Sequence, residues 1–270
     1  MQLAASIVLY KNSLIECHKI LDILEKSVVE KIYLVDHSGG ERLNVLSDYS
    51  SKIEYVLHDN SGYGSGHNVA IRKAMEAGAK YHIVLNADLE FSPDVIQTIA
   101  DFMNQNPQVG QLMPQIFYPD GRNQYLCKLL PTPFDLIARK FIPANWFKKS
   151  KERFVCSFTS YNRIMNVPYL SGCFMFLRIS AIQEVGLFDE HFFVYGEDID
   201  FSRRMHQKYK TIFYPQVSII HNHAEASSKS LKMLWVHIVN VSYYFNKWGW
   251  FFDKERKKIN SHFISTWKEQ

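Results

Sequence analysis

The sequence predicts an α/β fold: a mostly parallel central sheet flanked by helices, followed by a C-terminal helical segment. Three observations predict it. Apolar runs of strand length recur at Leu3–Tyr10, Lys31–Val35, Ile53–Leu57 and Tyr81–Leu85. Helical patterns lie between most of them, which is the β-α-β alternation of a parallel sheet. Acidic residues then follow successive strands, where open α/β sheets bind their ligands.

The elements follow in order. Leu3–Tyr10 lacks a positive leader and a small-residue cleavage site, so it reads as the first strand rather than a signal peptide. Leu14, Cys17, Leu21 and Leu24 recur at helical steps and share one face. Asn68–Ala79 is an alanine-rich helix with Gly78 as its stop signal. Ile83–Phe91 begins as a buried strand and breaks at Asn86-Ala87-Asp88, and Ser92-Pro93-Asp94 reads as a helix cap with proline at the first helical position. Gln111–Tyr118 is a further strand, closed by the turn Pro119-Asp120-Gly121. Residues 122–166 form an irregular insertion with a short helix near Phe134–Phe141. Tyr169–Arg178 returns to strand character, Ser180–Val185 is helical, and Gly196–Asp200 is an acidic run opening another helix. Val217–Ile220 is the last core strand. Beyond it, Leu231, Leu234, Trp235, Ile238, Val241, Ser242 and Phe245 make one helical stripe, followed by Trp248–Phe252 and a basic cluster.

The chain has 270 residues, enough for one large domain or a domain with an appendage. A formal net charge of +4 is too small to imply nucleic acid. The four cysteines form no C-x-x-C pair, which suits free thiols in a reducing compartment. No stretch is long and apolar enough for a membrane span.

Five groups of residues carry chemistry. Asp36, Asp59 and Asp88 each follow a strand, and three carboxylates at one sheet edge argue for a shared polar site. Asp36 can meet a base or ribose, or it can be a turn residue. Asp59–Gly66 is glycine-rich and opens a helix, so backbone can approach an anion closely; His67 and the position after the third strand rule out a dinucleotide fingerprint. Asn86-x-Asp88 can hold a hard divalent cation or form a simple turn. Glu197, Asp198 and Asp200 crowd three carboxylates into four residues, so one must pair with a cation or titrate abnormally, with Arg203 and Arg204 as candidate partners. His221 and His223 face one side of an extended chain and can complete a metal site or form a hydrogen-bond network.

Together these pieces resemble a known family. ASIVLYKN, LVDHSGG, DNSGYGSGHN, VLNADLEFSPD, YLSGCFMFLR, GLFDEHFFVYGEDIDFSRR and IIHNHAEAS run in order over residues 3–228. The chain resembles the family 2 glycosyltransferases of GT-A fold, especially the bacterial rhamnosyltransferase-like branch of polysaccharide assembly. The resemblance implies a nucleotide-sugar-binding half (1–110), an acceptor and catalytic half (111–228) and a C-terminal segment (229–270). It implies that Asp36 and Asp59 contact the nucleoside, with Asn60, Gly62, Asn68 and Asn86 around them. It implies that Asp88 and His221 hold Mg²⁺ or Mn²⁺, with His223 as second choice, and that Asp198 is the catalytic base, supported by Glu197, Asp200 and Arg203. Two departures stand out: the first acid of D-x-D is Asn86, and no Q-x-x-R-W follows the acidic run, which speaks against a processive synthase.

The expected reaction is an inverting transfer of one sugar, rhamnose by branch resemblance and a uridine-diphosphate hexose otherwise, to a saccharide acceptor that can be lipid-linked. A non-catalytic nucleotide-sugar-binding subunit is the alternative of a different class. A nucleotidyltransferase would need a basic glycine-rich loop after the first strand, which Tyr10-Lys11-Asn12-Ser13 does not supply. The C-terminal helix, with its aromatic tail and basic cluster, suits either an interfacial anchor or packing on the domain or a second subunit. The expected place is the cytoplasm, including the inner face of the membrane, with a homodimer as one arrangement.

Overall fold

Strand β1 (Leu3–Leu9) lies near the middle of the sheet, between β2 (Lys31–Asp36) and β4 (Tyr81–Leu85), and is parallel to both. The computed structural model describes residues 1–137, 147–222 and 231–268. Strand β3 (Ile53–Leu57) extends the parallel part beside β2. The chain therefore runs outward from β1 to β3 and then returns to β4 on the other side of β1. That reversal leaves a crevice at the carboxyl ends of the strands.

The sheet continues beyond β4 with a change of direction. Strand β6 (Val109–Phe117) and β11 (Lys210–His221) are parallel to each other, and β10 (Phe174–Arg178) runs antiparallel between β4 and β6. The short strands β5 (Leu89–Glu90) and β8 (Met165–Asn166) pair with β11. Strand β7 (Cys127–Lys128) and β9 (Tyr169–Leu170) form a separate ribbon. The expected strand Tyr169–Arg178 is thus two strands that break around Gly172. The last strand is longer than its sequence suggests: Pro215 cannot donate to a ladder, and the register shifts between Tyr214 and Ser218 let β11 continue past it.

Side-chain alternation on β1 sorts the layers. Leu3, Ala5, Ile7 and Leu9 join one core with helix α1 (Leu14–Glu25) and α3 (Asp94–Gln105); Ala4 joins the other with α2 (Tyr63–Glu76), α6 (Ile179–Val185) and α7 (Glu197–Lys208). Ser13 and Glu16 close a capping box at the start of α1. Ser92 makes no side-chain cap for α3; Pro93 takes the cap position. Between β2 and β3 the connection is a 3-10 helix over Glu41–Tyr49 rather than an α-helix. Ser6 is the polar exception inside the core. Its hydroxyl lies 2.7 Å from both His67 Nδ1 and His82 Nε2, so it donates to one ring, accepts from the other and links three buried side chains.

In the insertion, α4 (Pro133–Leu136) and α5 (Lys148–Phe154) are short helices; the end of the helix expected to Phe141 lies outside the described residues. The C-terminal segment is two helices, α8 (Leu231–Trp248) and α9 (Lys254–Lys268), turned at Gly249 with φ 102°. Val241, Tyr244 and Phe245 pack with Leu130, Tyr169, Phe192 and Ile199. Trp235, expected on the apolar stripe, is instead 68% exposed. No described helix is long and apolar enough to cross a membrane. All four cysteines are free and buried.

Candidate active site

A cleft of about 500 Å³ opens at the crevice, lined by Val8, Tyr10, His37, Asn60 and Tyr63 on one side and by Met233 and Val236 of α8 on the other. Its floor depends on Gly62. That residue sits at φ 110°, and a Cβ there would fall 2.3 Å from the Phe193 carbonyl oxygen, which accepts the Tyr63 N–H at 2.9 Å. The glycine-rich stretch is therefore not a loose loop. Helix α2 already begins at Tyr63, five residues ahead of the predicted Asn68.

The residues predicted around a nucleoside divide. Asn60 lines the cleft and Asp59 is exposed beside it. Asp36 is fully buried instead: Oδ2 accepts from Tyr55 Oη at 2.8 Å and Oδ1 from the Ser38 N–H at 2.8 Å. It holds the turn after β2, and its neighbour His37 faces the cleft. Asn68 likewise lies in the interior as a clamp. Its amide donates to the Phe188 carbonyl at 2.9 Å and to Glu190 at 2.8 Å, and its oxygen accepts the Phe188 N–H at 3.0 Å.

The other strand-end residues, from β4 and β11, do converge. His221 Nε2 lies 3.3 Å from Asp88 Oδ1 and 3.3 Å from Asn86 Nδ2. Gln124 fixes the ring from behind: its Oε1 is 2.9 Å from Nδ1, and its amide donates to the His221 carbonyl at 2.8 Å. Burial pulls the His221 imidazolium pKa down, but Asp88 and the Cys173 thiol more than reverse this, to about 10. His223 lies outside the described residues.

Asp198 is half-buried at the first turn of α7, where Tyr195 (φ 67°) and Gly196 (φ 122°) swing the chain into the helix. Its Oδ2 accepts from Tyr169 Oη at 3.0 Å and from the Gly172 N–H at 3.1 Å. The Tyr63 hydroxyl lies 2.8 Å from the Gly172 carbonyl and 2.9 Å from Asn86 Oδ1. A continuous polar chain thus joins Asp198 to Asn86, and through His221 to Asp88.

The other two acids of the run have different environments. Glu197 is buried, its Oε2 has no hydrogen-bond partner, and desolvation plus the Asp198 charge push its pKa up to about 8. Asp200 is fully buried and spent on structure, with Arg204 Nε at 2.8 Å, Lys247 Nζ at 2.9 Å and Trp248 Nε1 at 2.8 Å. Arg203 does not serve the acidic run. It grips Asp253 with two nitrogens at 2.6 and 2.9 Å and Glu255 at 2.9 Å, beneath the Trp248 ring.

Sequence reasoning missed Tyr63, Gln124, Lys128 and Tyr169. The two tyrosines stand inside quoted motifs, beside Gly62 and ahead of Gly172, and could have been found as hydroxyls next to glycine turns. Burial, with the Asp198 charge, raises the Tyr169 hydroxyl well above its ordinary range, so it stays a donor. Lys128 carries no sequence signal. Its ammonium lies 5.0 Å from the centre of the Tyr169 ring, and burial lowers its pKa while the Asp198 charge opposes that shift.

Comparison with known proteins adds the following. The model of glycosyl transferase family 2 matches residues 11–186. The N-acetylglucosaminyl-diphospho-decaprenol L-rhamnosyltransferase of Mycobacterium tuberculosis is 28% identical over 185 residues, 63% of this chain and 58% of that protein. Rhamnosyltransferase WbbL of Escherichia coli is 24% identical over 181 residues, 65% of this chain and 66% of that one. Each match spans less than two thirds of the relative's own length. Among solved structures, S. aureus TarS 1-349 in complex with UDP superposes with a TM-score of 0.58 at 14% identity, over 98% of this chain and 71% of that one. GalNAc-T7 with UDP, GalNAc and Mn²⁺ gives 0.59 at 13% identity, over 90% and 49%. Both show a shared GT-A fold.

Proposed function

The chain belongs to glycosyl transferase family 2, and from that membership we propose that it moves one sugar from a nucleoside-diphosphate donor to a saccharide hydroxyl, with inversion at the anomeric carbon. The observation that carries the inverting mechanism is the division of labour in the acidic run. Asp200 is locked in ion pairs and Glu197 holds its proton, which leaves Asp198 as the half-exposed carboxylate at the polar chain. One base and no second carboxylate nucleophile is what a single in-line displacement needs.

In this reading the nucleoside lies in the cleft against Tyr10, His37, Asn60 and Tyr63. Asp198 takes the proton from the acceptor hydroxyl. Tyr169 and the Gly172 N–H hold its Oδ2 in place. Tyr63 keeps Asn86 aligned with the Gly172 turn.

Asp88 and His221 fit a divalent cation as two ligands, since Gln124 turns Nε2 of the ring toward the carboxylate. Among the described residues no group of three such side chains clusters, so Asp88 and His221 are the two that would hold the ion. When bound, the ion would offset charge on the leaving diphosphate. To serve as a ligand there, His221 would have to give up its ring proton.

Rhamnose is the sugar this reading favours, supported by the names of two relatives, with a uridine-diphosphate hexose next. A diphospholipid-linked acceptor follows the name of the mycobacterial relative. Calorimetric titration with nucleoside diphosphates, with and without Mn²⁺, tests the proposal. Metal-dependent binding of one nucleotide, lost in Asp88→Ala, is expected. Folded protein that binds none of them contradicts it.

A further inference from the structure

The turn between α8 and α9 presents Phe251 and Phe252 to water, 77% and 97% exposed. Two adjacent phenylalanines held out of the core need a reason, because each forgoes the gain of burial. The turn that carries them is fastened on the side facing the domain. Arg256 donates to the carbonyls of Pro131 at 3.1 Å and Trp250 at 3.0 Å, and Asn260 exchanges two hydrogen bonds with the Leu130 backbone at 2.8 and 2.9 Å. The rings therefore stand on a rigid platform.

The surroundings are basic. A shallow depression beside the rings is lined by Thr132, Arg153, Lys254 and Lys257, and the three cations are exposed. Helix α5, which supplies Arg153, adds Lys148, Lys149 and Lys151 against one acid, Glu152. Two neighbouring carboxylates in the sequence are engaged by Arg203: Asp253, buried, and Glu255, which stays partly exposed. Exposed rings among a local excess of cations match a surface that is apolar beneath and anionic above.

We propose that this face rests on an anionic lipid bilayer, with Phe251 and Phe252 in the headgroup region and Arg153, Lys254 and Lys257 over the lipid phosphates. The contact is made by the turn rather than by the apolar stripe of α8, whose Val241, Tyr244 and Phe245 are buried in the domain. The platform also has a bearing on the cleft. The backbone that Arg256 and Asn260 hold, Leu130 and Pro131, lies two and three residues after Lys128, beside Tyr169 and Asp198. This inference goes beyond the transferase reading and does not rest on it, since binding is measured without turnover.

The test is sedimentation of the full chain with vesicles of phosphatidylcholine alone, or of equal parts phosphatidylcholine and phosphatidylglycerol, at low and high salt. The expected result is capture by the anionic vesicles only, weakened by salt. Phe251→Ser with Phe252→Ser should reduce it at least tenfold. Arg153→Glu with Lys254→Glu and Lys257→Glu should reduce it on the order of a hundredfold or more. All five side chains are exposed, so melting should stay near that of the parent. If the aromatic pair should disturb folding, the charge variant and the salt series still decide. Absence of capture, equal capture by both vesicles, or capture unchanged in a folded aromatic variant would overturn the proposal. So would a dimer, seen by sedimentation velocity, that dissociates in the aromatic variant while vesicles capture nothing.

Discussion

At Glu197 the resting state is a proton rather than a charge. Its folded pKa of about 8 lies above the ordinary value of 4.5, so the folded protein holds a proton that the unfolded chain has released. Stability from this group is complete below pH 4.5 and declines as pH rises through 8, at no more than about 1.4 kcal/mol per pH unit. Burial also holds His82 neutral, with a pKa near 3. The unfolded chain binds that proton first, so this group lowers stability as pH falls below 6.5. Urea melts of the parent and Glu197→Gln across pH 5–9 separate the two: the variant should lose the alkaline decline and keep the acid one. A parallel alkaline decline in both proteins would place the charge elsewhere. Tyr63→Phe removes the hydroxyl between Asn86 and Gly172 and should lower turnover about fivefold while the fold persists, because one hydrogen bond to a neutral partner is worth about 1 kcal/mol. Unchanged steady-state kinetics would remove Tyr63 from the site. At this scale the sequence exposed the acids by their spacing. It could not show which acid is buried, because, besides the neighbouring Arg204, the partners of Asp200 and Arg203 lie some fifty residues away, at Trp248 and Asp253.

At the scale of elements, long-range pairs decide where the helices sit. Arg203 and Asp253 bond across α7 and the start of α9, with side chains 1% and 3% exposed. Removing one partner strands a buried charge, so Arg203→Met should cost about 3–5 kcal/mol and lower the melting temperature by about 10 °C. A shift of only a degree or two would show that Glu255 and solvent take up the charge. Gly62→Ala should also destabilise, because the new methyl meets backbone rather than a side chain that can move; a parent-like melt would mean that the Phe193 loop yields. Helix α1 and strands β1 to β4 were legible because their apolar periods are local. Strand β11 was shortened in the sequence reading by Pro215, whose missing donor its bulged ladder accommodates. Helix α9 was read only as part of one C-terminal helical segment and not as a second helix, since its buried contacts are the scattered Arg256, Asn260 and Phe263 rather than a stripe.

For the whole molecule, the C-terminal helices pack as part of the domain that carries the cleft. Met233 and Val236 line it, and Tyr244 and Phe245 cover Leu130, Tyr169 and Phe192. A chain ending at residue 228 should therefore expose that apolar cluster and aggregate; a monomeric, cooperatively melting truncation would contradict this. The fold class and the order of the site pieces were readable because strand ends and glycine turns are written locally. The surroundings of His221 and Tyr169 were not, because Gln124 and Lys128 reach them from an insertion without periodicity. The central claim is that Asp198 alone acts as base in a cleft built from both halves. The most direct measurement is the transfer rate of Asp198→Asn beside its nucleotide affinity. The account predicts a loss on the order of 10²–10⁴ in turnover with nucleotide affinity kept. Near-parental turnover in that variant would contradict it.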